Sequence, residues 1–493
     1  MRHYALGPEV VVSLRKLVFG TAAMSSVNVL RLLAQFFALP ILSRILSPKD
    51  YGLVAIAMPF VTFAMVLADS GVGMSLVRTS ASERGVWSTS FWLSIVLGLA
   101  LALIMAACAP LVAHIFGEPR LTSIIVTLAF VVFAQSVCTI PGASLQQNHR
   151  FKLIAAIEVV SVACGIGLAV FVALHGGGAW ALVGQQVAFF ASRLTLTVVF
   201  SPFRPQLVLN WRGLREHLIF GRNILGANIL GFFARSLDNL IIGKLLGAVP
   251  VGIYAMAFQF VRLPFMLVTG PLQYVLYAQL AAIRGDAEAV RRVFIFLTRT
   301  LAILVFPAMC MVAVAHGPFF RLLLSQKWAA SSTLFMLVAP VGALQAVTAL
   351  GGTVTMALGR TDIQLRTTIE FGILWVIALL TGAHFGLNAI AVAYDCAVLL
   401  YFPRSTSLTL PLVRCSIPAY LRVIATPVLI TAGTVSVFWL ITREVPLDDW
   451  VQLGLAVLLG GAAVVASILL QLRKLIVELG FLGKGQLPVT QSA

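Results

Sequence analysis

ILSRILSPKDYGLVAIA at residues 41–57 and IIGKLLGAVPVGIYAMA at residues 241–257 are two versions of one stretch. Ile41, Leu46, Gly52, Ala55 and Ala57 recur as Ile241, Leu246, Gly252, Ala255 and Ala257. Arg44 returns as Lys244, and most other positions exchange one aliphatic residue for another. Each copy joins the end of one long apolar run to the start of the next. Self-similarity at this spacing implies that a whole lobe of about two hundred residues is duplicated.

The rest of the chain fits that frame. Over 493 residues, 60% are hydrophobic and 10% charged, and the mean hydropathy is +1.01. Such a composition belongs to a polytopic membrane protein and leaves no stretch with the aqueous character of a soluble domain. The longest polar intervals, near 201–217 and 279–292, are connectors, so catalysis by an appended extramembrane domain is excluded. The net charge of +17 is spread among short loops, which reads as topology-setting charge and not as a nucleic-acid surface. The N-terminus, MRHYALGPEVVVSLRKL, lacks an A-x-A-like cleavage site after a short apolar core and is expected to be retained. Cys108, Cys138, Cys164, Cys310, Cys396 and Cys415 are scattered without a C-x-x-C and suggest neither disulfides nor a metal site.

A bilayer core of about 30 Å needs about 20 apolar residues per helix. That template predicts an all-α protein with fourteen spans, near 17–43, 51–77, 88–113, 121–145, 153–174, 178–200, 218–246, 251–278, 293–316, 331–357, 364–383, 386–410, 418–441 and 450–472. With the N-terminus inside, the cytoplasmic segments gather most lysines and arginines, with Arg193 and Arg299 counted among them. The outer segments keep only a few, such as Arg44, Lys49, Arg120 and Lys244. Both termini are therefore expected in the cytoplasm. The predicted organisation is an N-lobe over 1–205 (spans 1–6) and a C-lobe over 206–412 (spans 7–12). Residues 413–493 hold two additional helices and a short cytoplasmic tail. Six helices per lobe make the repeats parallel, around a central cavity.

Charge inside these spans points to that cavity. Arg31 lies near the middle of the first span, too far from either end to reach water, and Asn28 and Gln35 share its face. A cation there costs roughly 2.5–3.5 kcal/mol on insertion scales unless it faces protein or a water-filled space. The seventh span repeats the pattern with Arg235 and Asp238 one turn apart, a pair that could equally satisfy itself. Gln259 and Arg262 follow in the eighth span, Asp69 in the second and Asp395 in the twelfth. Arg31, Arg235, Arg262, Asn28, Gln35 and Gln259 are the expected substrate-binding residues of a net cationic cavity, which suits an anionic cargo. Asp69, Asp238 and Asp395 are expected coupling-ion or counter-ion residues, because burial would raise their pKa and a nearby arginine would lower it. Glu158 and Glu370 read as interfacial, and His175 with Gly176–Gly178 as a tight outer turn. No Walker-type phosphate loop, metal-binding motif or nucleophile–base set occurs, so neither a cofactor nor enzymatic catalysis is expected.

LSRILSPKDYGLVAIA at 42–57, LQQNHRFKLIAAIEVVS at 145–161, GGGAWALVGQQ at 176–186 and RSLDNLIIGKLLGAVPVGIYAMA at 235–257 resemble the polysaccharide transporter branch of the MOP superfamily. The resemblance covers spans 1–12. It implies two six-helix lobes working by alternating access, plus two variable C-terminal helices. It further implies a flippase that moves undecaprenyl-pyrophosphate-linked oligosaccharides across the bacterial inner membrane for exopolysaccharide, capsule or O-antigen assembly. A polysaccharide polymerase and export machinery would be its protein partners. Asp238, Gly52 and Gly252 are the residues it carries over. The usual acidic residue of the second-copy turn is absent from GAVPVG at 247–252. Two alternatives are a cation-coupled multidrug exporter, which calls for an acidic aromatic cavity, and a membrane-embedded polymerase or glycosyltransferase, which calls for a larger outer loop than any here.

Overall fold

The computed structural model describes residues 34, 36–69, 76, 84–208, 210, 225–226, 228–229, 232, 236–283 and 285–484. Every regular element among them is helical, and no strand occurs in the described residues. In the first part of the chain these are α1 (Phe36–Ile45), α2 (Pro48–Asp69), α3 (Arg84–Phe116), α4 (Arg120–Gln147), α5 (Phe151–Leu174), α6 (Trp180–Phe200) and α7 (236–246). The remainder comprises α8 (Ala248–Val261), α9 (Gly270–Ala282), α10 (Ala287–Val314), α11 (His316–Leu323), α12 (Ala329–Thr348) and α13 (Leu350–Ala357). It ends with α14 (Thr361–Ala383), α15 (Leu387–Thr409), α16 (Ile417–Glu444) and α17 (Asp449–Lys484). Twelve stretches of the described residues are long and apolar enough to cross a membrane. They coincide with twelve of the fourteen predicted spans. The first predicted span lies largely outside the described residues, and the seventh lies partly outside them.

The chain divides into two compact units, Met1–Gly252 and Ile253–Ala493. In the first, α3 packs on α4, α5 on α6, and α4 on both α6 and α2. In the second, α10 packs on α12, α14 on α15, and α12 on α15. Three of these pairings thus recur in the same order, as a duplicated lobe would predict. The two added helices, α16 and α17, lie against α10 and against each other.

The repeated stretch turns its chain in two different ways. In the first copy, Ser47 and Asp50 form a capping box at the start of α2: the Ser47 amide donates to Asp50 Oδ2 at 3.0 Å and the Asp50 amide to Ser47 Oγ at 3.3 Å. Pro48 takes the first helical position, where its missing N–H costs nothing. Asp50 Oδ1 also accepts from the Ala179 amide at 3.1 Å. That bond fixes the His175–Gly178 turn, read from the sequence as tight, with Gly176 and Gly178 at φ of 75° and 52°. The second copy has no such box, and Gly247 reverses the chain at φ 94° instead. Within the first unit the two copies touch. A Cβ on Gly52 would lie 1.7 Å from the Ala248 carbonyl oxygen, and one on Gly252 would lie 1.9 Å from the Pro48 carbonyl oxygen. Only glycine allows this approach, and the contact is reciprocal.

Two arginines counted with cytoplasmic segments are instead inside helices. Arg193 sits in α6, thirteen residues from Trp180 and seven from Phe200, and Arg299 is 5% exposed in α10. Hydropathy alone does not separate a membrane-edge arginine from one held by partners on a neighbouring helix.

Candidate functional site

The described part of the first unit encloses a cavity of about 400 Å³, bounded by α2, α4, α5, α6 and Asn228. One wall is Met58, Thr62, Met65 and Val66 of α2, and the facing wall is Gln185, Gln186, Phe189 and Phe190 of α6. Gln135 of α4 and Gly165 of α5 complete it. Gln135 is twelve residues from one end of its helix and fifteen from the other, about 18–22 Å at 1.5 Å per residue. The cavity therefore reaches the depth of the bilayer centre. Gly165 lets α5 and α6 close on each other, since a Cβ there would lie 2.9 Å from the Gln185 carbonyl oxygen.

Below Gln135 the guanidinium of Arg193 is held between two helices. Its Nη1 donates to Gln135 Oε1 at 2.9 Å, and its Nε pairs with Glu158 Oε1 at 2.9 Å. One arginine thus fastens α4, α5 and α6. Its charge is compensated by Glu158, whose side chain is 16% exposed. Glu158, read from sequence as interfacial, is a partner in this clamp. By contrast, the carboxamides of Gln185, Gln186 and Asn228 make no hydrogen bond to any described residue, and none of the described lining residues is a carboxylate.

The second unit treats the corresponding helices differently. There the α12 amide of Gln345 accepts a hydrogen bond from the Tyr394 hydroxyl of α15. Tyr394 in turn meets Phe258 at 5.4 Å and Trp375 at 5.1 Å between ring centroids, and Tyr254 stacks on Phe258 at 4.1 Å. A separate cavity of about 550 Å³ in this unit is mostly apolar, lined by Phe306, Met336, Pro340, Val428 and Trp439, with His316 and Thr431 among the few polar groups.

The residues expected from sequence fall unevenly on this geometry. Arg31, Asn28, Gln35 and Arg235 lie outside the described residues, as does the side chain of Asp69 at the end of α2. Asp238 is 6% exposed in α7, and its Oδ1 accepts from the Asn239 amide at 2.9 Å. Gln259 and Arg262 are exposed at the end of α8 and just past it, where Pro264 leads into a π-helical turn at Phe265–Thr269. Asp395 is half-buried in α15, and its Oδ1 has no hydrogen-bond partner among the described residues. The amides of the first-unit cavity were not singled out from sequence, although Gln185 and Gln186 close the run GGGAWALVGQQ. Two adjacent carboxamides inside an apolar span were the available signal.

Known proteins complete the description. A family model described as polysaccharide biosynthesis protein matches residues 41–333, starting at the first residue of the repeated stretch. The Bacillus subtilis (strain 168) teichuronic acid biosynthesis protein TuaB is 25% identical over 375 residues, covering 75% of this chain and 77% of that protein. The Escherichia coli (strain K12) lipopolysaccharide biosynthesis protein WzxC is 26% identical over 352 residues, 70% of each chain. Among solved structures, the lipid II flippase MurJ in an inward closed conformation matches with a TM-score of 0.74 at 14% identity, over 93% of this chain and 100% of that one. An inward-facing MATE multidrug resistance transporter of the MOP superfamily matches with 0.60 at 13% identity, over 78% and 96%. At these identities the structural matches establish a common fold. The family match spans more than half of the sequence, and the chain belongs to the polysaccharide biosynthesis protein family.

Proposed function

We propose that this protein is a flippase for lipid-linked oligosaccharide repeat units, carrying them from the cytoplasmic to the periplasmic leaflet of a bacterial inner membrane. The observation that carries this reading is a MurJ-like fold in a member of a polysaccharide biosynthesis family. A cavity at mid-membrane depth within that fold, apolar except for its carboxamides and Thr62, gives a hydrophilic headgroup hydrogen-bonding partners. A lipid-linked substrate would keep its polyprenyl tail in the bilayer while the headgroup passes through protein. The chain moves its substrate without reacting it.

Arg31, Arg235 and Arg262 would hold the pyrophosphate, with Asn28, Gln35 and Gln259 as hydrogen-bonding neighbours. Asp69, Asp238 and Asp395 would serve as counter-ions or carry a coupling ion. Both termini would face the cytoplasm, as the arginine distribution requires. With the inside negative, outward movement of a pyrophosphate is downhill by about 2.3 kcal/mol per charge per 100 mV. A polymerase and export machinery would receive the units on the far side.

Polymer export in a flippase-null bacterium tests the assignment. Wild type should restore export, and Arg31→Ala and Arg235→Ala at matched membrane expression should each lower it by about tenfold or more. Normal export by both variants would remove the cationic cavity from the mechanism.

A further inference from the structure

We infer that the amide-lined cavity of the first unit reads the sugar, and that Gln185, Gln186 and Asn228 set which glycan is accepted. This inference rests on the flippase reading and assigns to the cavity a task separate from holding pyrophosphate.

The chemistry of the lining carries the argument. A carboxamide presents a donor and an acceptor on one planar group, the same double pattern offered by neighbouring hydroxyls of a sugar ring. Gln185, Gln186 and Asn228 have this capacity unspent among the described residues and share one cavity with Gln135, whose oxygen is turned to Arg193. Polar side chains in a bilayer are costly when left unmatched, so a cavity that gathers them is built for a hydrogen-bonding occupant. Among the described residues, the cation beside the cavity is Arg193, which is already paired with Glu158 at 2.9 Å. The described lining is otherwise uncharged, so it offers a pyrophosphate little and a hydroxyl-rich neutral group much. Phe189 adds an apolar ring beside the amides, and a sugar has C–H faces to lay against such a surface. At about 400 Å³ the cavity falls in the range of small-molecule sites and fits a small part of an oligosaccharide. The rigid Arg193 clamp holds α4, α5 and α6 in register, so the spacing of the amides is fixed before the sugar arrives.

The test uses full-length protein and the double variant Gln185→Leu/Gln186→Leu, which keeps side-chain volume in apolar helices. In vivo, each is expressed at matched membrane levels in a panel of flippase-null hosts with different repeat units. In vitro, each is placed in nanodiscs, and binding is measured for the lipid-linked unit of a rescued host and for its oligosaccharide freed by mild acid. The expected result is a changed host profile, with export down about tenfold in one host and retained in another. Binding of the free oligosaccharide should weaken about tenfold. Should the double variant melt at lower temperature, Gln185→Asn, which keeps the amide and shortens its reach, takes its place.

An unchanged profile with unchanged binding overturns the inference, as does a loss of equal size in every host. In every other combination of the two measurements, binding decides. Recognition confined to the lipid-linked form, equal in wild type and variant, also overturns it. If wild type restores export in no host, the flippase reading fails on its own. Maltotriose, lactose and chitobiose then serve as probes: binding that the variant loses upholds the sugar site, and absence of saturable binding ends it.

Discussion

The first unit leaves its interior amides open, and the second closes its own. In the first, Gln135 of α4 is met from α6 by Arg193, and the amides of Gln185 and Gln186 stand in a cavity of about 400 Å³. In the second, Gln345 of α12 is met from α15 by the Tyr394 hydroxyl, and Phe258, Trp375 and Tyr254 pack around it. Three helix pairings are shared by the two units, and on that shared frame the side chains at these positions differ. A duplicated scaffold therefore does not duplicate its function. One copy keeps hydrogen-bonding capacity for a visitor, while the other spends it internally and gains a fixed aromatic core.

Arg193 in the first unit and Arg299 in the second are both held by partners on neighbouring helices, and these two arginines give the sharpest test of the contrast. In the second unit Arg299 donates to Gln471 at 2.5 Å and to Glu478 at 3.1 Å, tying α17 to α10. Arg299→Leu strands a buried carboxylate and should cost about 3–5 kcal/mol, read as a fall in melting temperature of the purified protein. In the first unit Arg193 keeps 31% of its side chain exposed, so Arg193→Leu should cost only about 2 kcal/mol. Removing Glu158 as well, in Arg193→Leu/Glu158→Leu, should recover most of that loss. Equal costs for the two single variants, or no recovery in the double one, would break the picture of a tight clasp in one unit and a cavity-side clamp in the other.

The reciprocal glycine contact should show a smaller effect, and one symmetric in the two copies. Gly52→Ala and Gly252→Ala each place a Cβ within 1.9 Å of a carbonyl oxygen. Overpacking of this kind costs about 1–3 kcal/mol, which corresponds to roughly 5- to 150-fold in export if it falls on the state that makes the contact. Export at matched expression should fall alike in both, and tolerance of one but not the other would break the symmetry. The mildest expected effect is that of Tyr394→Phe, which removes the partner of Gln345. A loss of about 1 kcal/mol in thermal stability is expected, with export kept. A large export defect instead would mean that the closed side of the comparison also handles substrate.

Much of the fold was legible because long apolar runs have only one stable form in lipid. Twelve predicted spans reappear as helices, including 364–383 and 386–410, which are separated by a turn in which Gly386 takes φ 99°. The site was less legible, for reasons that differ by residue. Charge draws attention in an apolar run, so Asp238 and Arg262 stood out, whereas Gln185 and Gln186 carry no charge and passed as part of a familiar run. Arg193 and Glu158 were each assigned to a membrane edge from their distance to the end of a run. Only the packing of α5 against α6 brings them within 2.9 Å, and that packing is a long-range fact no local window contains.

The contact between Gly52 and Gly252 has an ancestry written into it. Position 52 meets residue 248 and position 252 meets residue 48, which is the pattern of a two-fold symmetric interface, in which one patch meets its own image. A single ancestral six-helix chain pairing with a second copy of itself would have made this contact twice with one glycine. Any substitution there would have struck both sides at once, which holds such a residue in place. Fusion of two such copies would free the halves to diverge, and Pro48 in one copy standing where the other has Ala248 is a difference of that kind.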